Sequence, residues 1–314
     1  MNLIETSAAD AFKQRDAASY DTVSESFARF TARFSQPIAE RMADMAALKP
    51  SDHVFDVGTG TGVVALEAAR RLGATGRVSA IDLSAGMLAT AERLAALDSA
   101  GKRIAWRSMD AEALTIEDAH VDVVLSLFAL LHFPNPLAAL REMWRVLKPG
   151  GQLILALGSR PSLVTGAGLL HALHTLPQLA RRYLGQELVA PAFLDALVEK
   201  YLPKSHADEH SALAGHGHSR VESVLMLARQ AGFAEIATHW VGYNHKIETP
   251  EEFWELQRTF SSLARKRINE ALPAQADALR EEFMASCKGV LARGGKLVYP
   301  VGVLFIRARK AGQT

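Results

Sequence analysis

A single cysteine, Cys287, stands in 314 residues, so the chain can form neither an internal disulfide nor a cysteine-based zinc cluster. Charge of one sign is also lacking. Lys and Arg number 35 against 34 Asp and Glu, leaving a formal net charge of +1. No whole-chain field then draws nucleic acid or an anionic membrane, and no nucleic-acid partner is expected. The local basic clusters Arg181-Arg182, Arg265-Lys266-Arg267 and 307–310 read as solvated helix faces or a chain end. No run reaches the ~18 apolar residues that crossing a bilayer requires. The richest, 121–133, is broken by Asp122 and His132. The opening MNLIETSAADAFKQRD has no basic start and no apolar stretch of the signal-peptide kind. A cytoplasmic protein without a membrane span is expected. Core material is ample: 49% of residues are hydrophobic and 22% charged, the balance of an ordinary globular chain.

Residues 1–19 are Ala-rich and polar, a frayed start or a short helix. Phe27, Phe30, Phe34, Ile38, Met42 and Met45 then recur at helical spacing, with Pro37 dividing the stretch into two helices. Strands at 53–57, 78–82, 104–108, 121–127 and 152–157 alternate with helices at 62–72, 85–97 and 136–147. That rhythm predicts an α/β fold with a parallel sheet and helices on both faces. It breaks after Gly158. Helical patches at 168–176 and 193–202 precede a His-rich loop, then a helix at 221–231 and a strand at 235–241. Thr249-Pro250-Glu251-Glu252 opens a helical stretch reaching 292, and 298–307 reads as the final strand. The division expected is an N-terminal helical segment (1–50), a core (51–158), a helical insertion (159–219), and the rest of the core (220–314). A second helical insertion falls at about 246–296 of that last part.

The chemistry concentrates where strands end. Gly58, Gly60 and Gly62 stand at every second position of VFDVGTGTG, after a strand and before a helix, where a backbone without Cβ atoms lets a ligand approach. The same glycines fit the dinucleotide fingerprint G-x-G-x-x-G/A, so alone they are ambiguous. Asp56 weighs against a dinucleotide, because a carboxylate two residues before the first glycine repels a pyrophosphate and favours a cation. Asp82 ends the second strand, where a carboxylate can accept both hydroxyls of a ribose. Asp110 follows the third, placed to accept from an adenine amino group. Three carboxylates at the ends of successive parallel strands suit a cationic nucleoside.

FDVGTGTG, AIDLSAGML, MDAEAL, DVVLSLFALLHFPNP and LKPGG resemble, in order and spacing, the motifs of class I S-adenosylmethionine (SAM)-dependent methyltransferases. The likeness covers roughly residues 20–157 and is nearest to the ubiquinone/menaquinone C-methyltransferase-like branch. It implies a Rossmann-like sheet, mostly parallel with the last strand antiparallel, and helical insertions forming a lid. It also implies SAM as cofactor and a small-molecule methyl acceptor. Asp56, Gly58, Thr59, Gly60 and Gly62 would then line the methionine moiety, and Asp82, Leu83 and Met87 the ribose and adenine. Asp110 and Ala111 would meet the adenine edge, with Ser126 on the fourth-strand side. Met87 is otherwise helix core. Tyr20 either closes over the cofactor, as an aromatic does in relatives, or packs.

His132, just beyond the fourth strand, is the one candidate for acting on the acceptor, as a base or as an anchor of its loop. Transfer from a sulfonium is an in-line displacement, so a base is needed only where the acceptor carries a proton. His206, His210, His216 and His218 with Asp208 and Glu209 have no metal-site spacing, and no metal is expected. Leu169, Leu170, Leu173, Leu176, Tyr183, Leu184, Phe193, Leu194, Phe253, Trp254 and Phe260 would give an apolar lid for an apolar or aromatic acceptor. Two other functions share these motifs: a repurposed SAM-fold binding protein, and an NAD(P)-dependent oxidoreductase, against which Asp56 and Asp110 stand.

Overall fold

A computed structural model describes residues 3–159, 186–202 and 220–312. The expected helical patch at 168–176, Tyr183, Leu184 and the His-rich loop at 206–218 lie outside them. Three helices come first: α1 (Leu3–Asp21), α2 (Ser24–Phe34) and α3 (Gln36–Ala46). The alternating part follows as β1 (His53–Val57), α4 (Val63–Arg71), β2 (Arg77–Asp82), α5 (Ala85–Ala95), β3 (Ile104–Ser108), β4 (Val121–Leu127), α6 (Pro136–Val146) and β5 (Leu147–Gly158). The later described elements are β6 (Glu187–Val189), α7 (Ala192–Tyr201), α8 (Arg220–Gln230), β7 (Phe233–Ile247), α9 (Pro250–Phe260), α10 (Ser262–Glu270), α11 (Pro273–Ala292) and β8 (Lys296–Lys310). Two compact units emerge from the described residues, one of 3–159, 220–239 and 303–312, the other of 186–202 and 240–302.

In the first unit β1 is buried at all its positions, as befits a strand with a neighbour on each side. Val54 pairs in parallel with Val78 of β2 and with Val123 of β4. Extended outward, the order is β3-β2-β1-β4-β5, all parallel, with β8 antiparallel on β5 from Gly158↔Val303 to Gln152↔Arg309. Chain order reverses between β1 and β4, and a crevice opens beyond the carboxyl ends of strands at such a point. The helix starts have chemical causes. Ser84 Oγ accepts from the Met87 amide (3.0 Å) at α5, and Asn135 Oδ1 accepts from the Ala138 amide (3.0 Å) at α6. Pro37 lies in the first turn of α3, so the break falls at Ser35.

The carboxyl end of α6 shows a cap that spacing alone does not reveal. Lys310 Nζ donates to the carbonyls of Trp144 (3.0 Å), Arg145 (3.3 Å) and Leu147 (2.7 Å). The same ammonium sits 4.0 Å from the centroid of the Trp144 ring. A cation at the negative end of a helix, over an aromatic face, contributes twice. Lys310→Met is expected to lower stability by about 1–2 kcal/mol, read as a shift of the urea midpoint at constant slope.

The second unit has its own core. Phe283 of α11 packs against Phe193 (5.1 Å between centroids), Phe253 (5.7 Å) and Trp254 (5.1 Å). β6 runs parallel to the start of β8, Glu187↔Lys296 to Val189↔Val298. Cys287 is buried beside this cluster's helix face, and burial pushes its thiol up to about 12, so it stays protonated and inert.

Candidate active site

The Gly-rich turn after β1 is wired from within. The amides of Gly58 and Thr59 both donate to the Ile81 carbonyl (2.9 Å each), and the Gly62 amide donates to Thr59 O (2.9 Å). Gly60 N donates to Asp82 Oδ2 (2.8 Å). The three glycines have positive φ of 71°, 53° and 83°, but their surroundings differ. A Cβ on Gly58 would stand 2.3 Å from the Ala129 Cβ, and one on Gly62 would stand 2.7 Å from the Trp106 ring. A Cβ on Gly60 would meet nothing within 4 Å among the described residues. Packing therefore closes in on Gly58 and Gly62, whereas Gly60 faces open space.

Asp56 is 0% exposed. Its Oδ2 accepts from Thr59 Oγ1 (2.6 Å), while Oδ1 is buried without a hydrogen-bond partner. Burial pushes its pKa up to about 7, against the Thr59 hydroxyl and Ala65 amide that favour the charge; the nearby Asp82 raises it further. Since the unfolded value is 3.8, the folded chain holds a proton that the unfolded chain releases. That stabilises the fold at low pH, and the contribution is lost as pH rises from about 4 to about 7. Asp56→Asn is expected to remove this loss, so urea unfolding at about pH 5 and about pH 8 should show a smaller fall for the variant than for the native chain.

Asp82 Oδ1 accepts from the Ser84 amide (2.9 Å) and Oδ2 from Gly60 N. A carboxylate accepts about four hydrogen bonds, so directions remain on both oxygens. Its pKa is raised, chiefly by desolvation. Leu83 beside it is 40% exposed, an uncovered apolar side chain. Met87 and Ala111 are buried at 2% and 5%, and Met87 packs within α5's inner face. Ser126 Oγ donates to the Val57 carbonyl (2.8 Å), tying β4 to β1. Asp110 Oδ1 accepts from the Glu112 amide (2.9 Å).

The segment read as a frayed start or a short helix is α1, a helix of 19 residues, and its part in the site was not foreseen beyond Tyr20. One of its faces reaches the residues after β2 and β3 and the turn after β4. Lys13 Nζ lies 2.7 Å from both Asp110 Oδ2 and Glu112 Oε2. Burial alone would lower the Lys13 pKa, but the hydrogen bonds it donates to the two carboxylates outweigh that and raise it. Asp21 Oδ1 accepts from Ser84 Oγ (2.6 Å) and the Gly86 amide (2.9 Å). Tyr20 Oη lies 3.3 Å from His132 Nε2. The signal was present: 13, 16 and 20 share one helical stripe, though nothing in so polar and Ala-rich a segment marks that stripe as facing the core.

The donor set fits SAM better than a dinucleotide. A pyrophosphate needs free amides or cations at the turn, and the amides of Gly58, Thr59, Gly60 and Gly62 are all engaged. The buried, half-satisfied Asp56 calls for a cation. A Rossmann-like sheet with acids at three strand ends and an internally bonded glycine turn defines a methyltransferase-type nucleotide site. Residues 55–155 match the methyltransferase domain family. The chain is 35% identical over 157 residues to the malonyl-[acyl-carrier protein] O-methyltransferase of Marinomonas sp., covering 49% of this chain and 56% of that one. Its identity is 32% over 185 residues to the ubiquinone/menaquinone biosynthesis C-methyltransferase UbiE of Azotobacter vinelandii, covering 57% and 70%. In fold it resembles a putative methyltransferase of Bacillus halodurans, with TM-score 0.52 and 20% identity over 87% of this chain and 98% of that one. The chain belongs to the class I SAM-dependent methyltransferases, in the group that holds the ubiquinone/menaquinone biosynthesis enzymes.

Proposed function

We propose that this chain transfers the methyl group of SAM to a small, largely apolar or aromatic acceptor in the cytoplasm, without nucleic acid as partner. The observation that carries the cofactor placement is the convergence of Asp56, Asp82 and Asp110 at three adjoining strand ends. Asp56 would face the ammonium of the methionine moiety along Gly58, Thr59, Gly60 and Gly62. Asp82 would accept the two ribose hydroxyls, Leu83 would lie against the adenine face, and Asp110 with Ala111 would meet its edge. Met87 and Ser126 would shape the walls from behind, and Tyr20 would close from α1. When bound, SAM supplies an electrophilic methyl carbon whose bonding pair leaves with sulfur. The chain's task is then to hold the two reactants in line and keep water out.

The acceptor class draws on the quinone named for the Azotobacter relative and on the modest demand a sulfonium makes for a protein base. Incubating the full chain with methyl-labelled SAM and a panel of phenols, hydroquinones, fatty thioesters and small amines tests it. Label is expected in the aromatic hydroxy compounds. Transfer only to amines or thioesters would contradict the acceptor class while leaving the cofactor placement intact.

A further inference from the structure

His132 ends the short turn Leu130–His132 after β4, and its side chain is 36% exposed. Two groups of α1 meet its two nitrogens. Asp16 Oδ2 lies 3.4 Å from Nδ1, and Tyr20 Oη lies 3.3 Å from Nε2 with the two rings edge-on at 5.6 Å. Asp16 is 7% exposed, so its carboxylate is held rather than solvated. A carboxylate facing Nδ1 selects the neutral tautomer with its proton on Nδ1, which leaves a lone pair on Nε2. Tyr20 Oη, facing that lone pair, already stands as a hydroxyl donor would. Asp82, at the end of β2, also lies within electrostatic reach of this imidazole.

The placement of Asp16 is fixed from both sides along the same helix. Lys13 binds Asp110 and Glu112 one turn before it, and Asp21 binds Ser84 and Gly86 beyond it. We infer that Asp16 is a positioning residue which, resting on the methyltransferase reading above, makes His132 the proton acceptor for a hydroxyl-bearing substrate. With the substrate hydroxyl in the place that Tyr20 Oη holds at Nε2, its O–H proton passes to Nε2 while its oxygen takes the methyl carbon and the carbon–sulfur pair stays on sulfur. The imidazolium so formed keeps its Nδ1 proton toward Asp16, which stabilises the added charge as a carboxylate does in hydrolase triads.

Nitrogen-15 NMR of the full chain labelled at histidine tests the arrangement, with the His132 signal identified by its loss in His132→Ala. The neutral ring is expected to be protonated at Nδ1. Asp16→Asn, whose amide can donate to Nδ1, is expected to shift the ring toward the Nε2-protonated form. It should also lower turnover on a phenol of the panel by about 100-fold or more, and Asp16→Glu should restore part of both. An Nε2-protonated ring in the native chain overturns the inference even should Asp16→Asn not fold. So does a folded Asp16→Asn with native tautomer and native turnover. Titration with SAM separates the two levels. A chain that binds SAM with the wrong tautomer fails only here, whereas one that does not bind SAM fails the methyltransferase reading itself.

Discussion

Asp82→Ala is expected to weaken SAM binding by about 30- to 150-fold, the equivalent of losing a charge-assisted bidentate contact of about 2–3 kcal/mol. The geometry adds a second reason beyond the ribose. Asp82 holds the Gly60 amide at 2.8 Å, so its loss also releases the turn along which the methionine moiety would lie. The Ser84 amide, bonded at 2.9 Å, loses the same acceptor. Ser84 is 1% exposed, so its amide loses a buried acceptor, and the fold should survive with stability lower by about 1–3 kcal/mol. Calorimetric titration beside a thermal melt reads both effects. Native SAM affinity in a folded Asp82→Ala chain would refute the ribose placement.

Gly60→Ala and Gly58→Ala are expected to fail in different ways. Gly60 has φ +53°, with open space where a Cβ would go. Alanine there costs about 1–2 kcal/mol for its left-handed backbone. Its methyl would project into the ligand's path and weaken SAM binding on the order of 100-fold, as about 3 kcal/mol of overpacking does. Gly58→Ala has the same backbone cost and also places a Cβ 2.3 Å from that of Ala129, adding about 1–3 kcal/mol of overpacking to the fold itself. Melting each variant with and without saturating SAM tells them apart. Gly60→Ala should melt a few degrees below the native chain and gain little from SAM, whereas Gly58→Ala should melt further below it and still gain from SAM. A Gly60→Ala chain stabilised by SAM as strongly as the native one would remove Gly60 from the ligand's path.

The alternating core was legible because its punctuation is strong. Glycines end or begin the turns at 58–62, 73 and 150–151, and β-branched runs fill the strands between them. The three acids were legible for the same reason, since each closes a strand that could be located. Side-chain roles were less so. Ser126 occupies the expected strand, yet its hydroxyl bonds the Val57 carbonyl, a pairing across β4 and β1 that no spacing along one strand reveals. β7 spans Phe233–Ile247 where only 235–241 was read, because Gly242, Asn244 and Lys246 read locally as loop although the burial there alternates as a strand's does. β5 likewise starts at Leu147, through Lys148-Pro149-Gly150-Gly151, which reads locally as a turn; a register shift opposite Val121 and Val123 absorbs it. The long-range pairings of α1 were the least legible feature. They involve Lys13, Asp16, Tyr20 and Asp21, each matched to a partner more than sixty residues away, and long-range polar pairing leaves no local signature.

The crevice at the ends of β1, β2 and β3 is expected to hold a cationic nucleoside and not a dinucleotide. Calorimetric titration of the native full chain with SAM, with its demethylated product and, separately, with NADH tests this directly. Saturable binding of SAM and of the product is expected, with no heat from NADH beyond dilution. Saturable binding of NADH with none of SAM would contradict it.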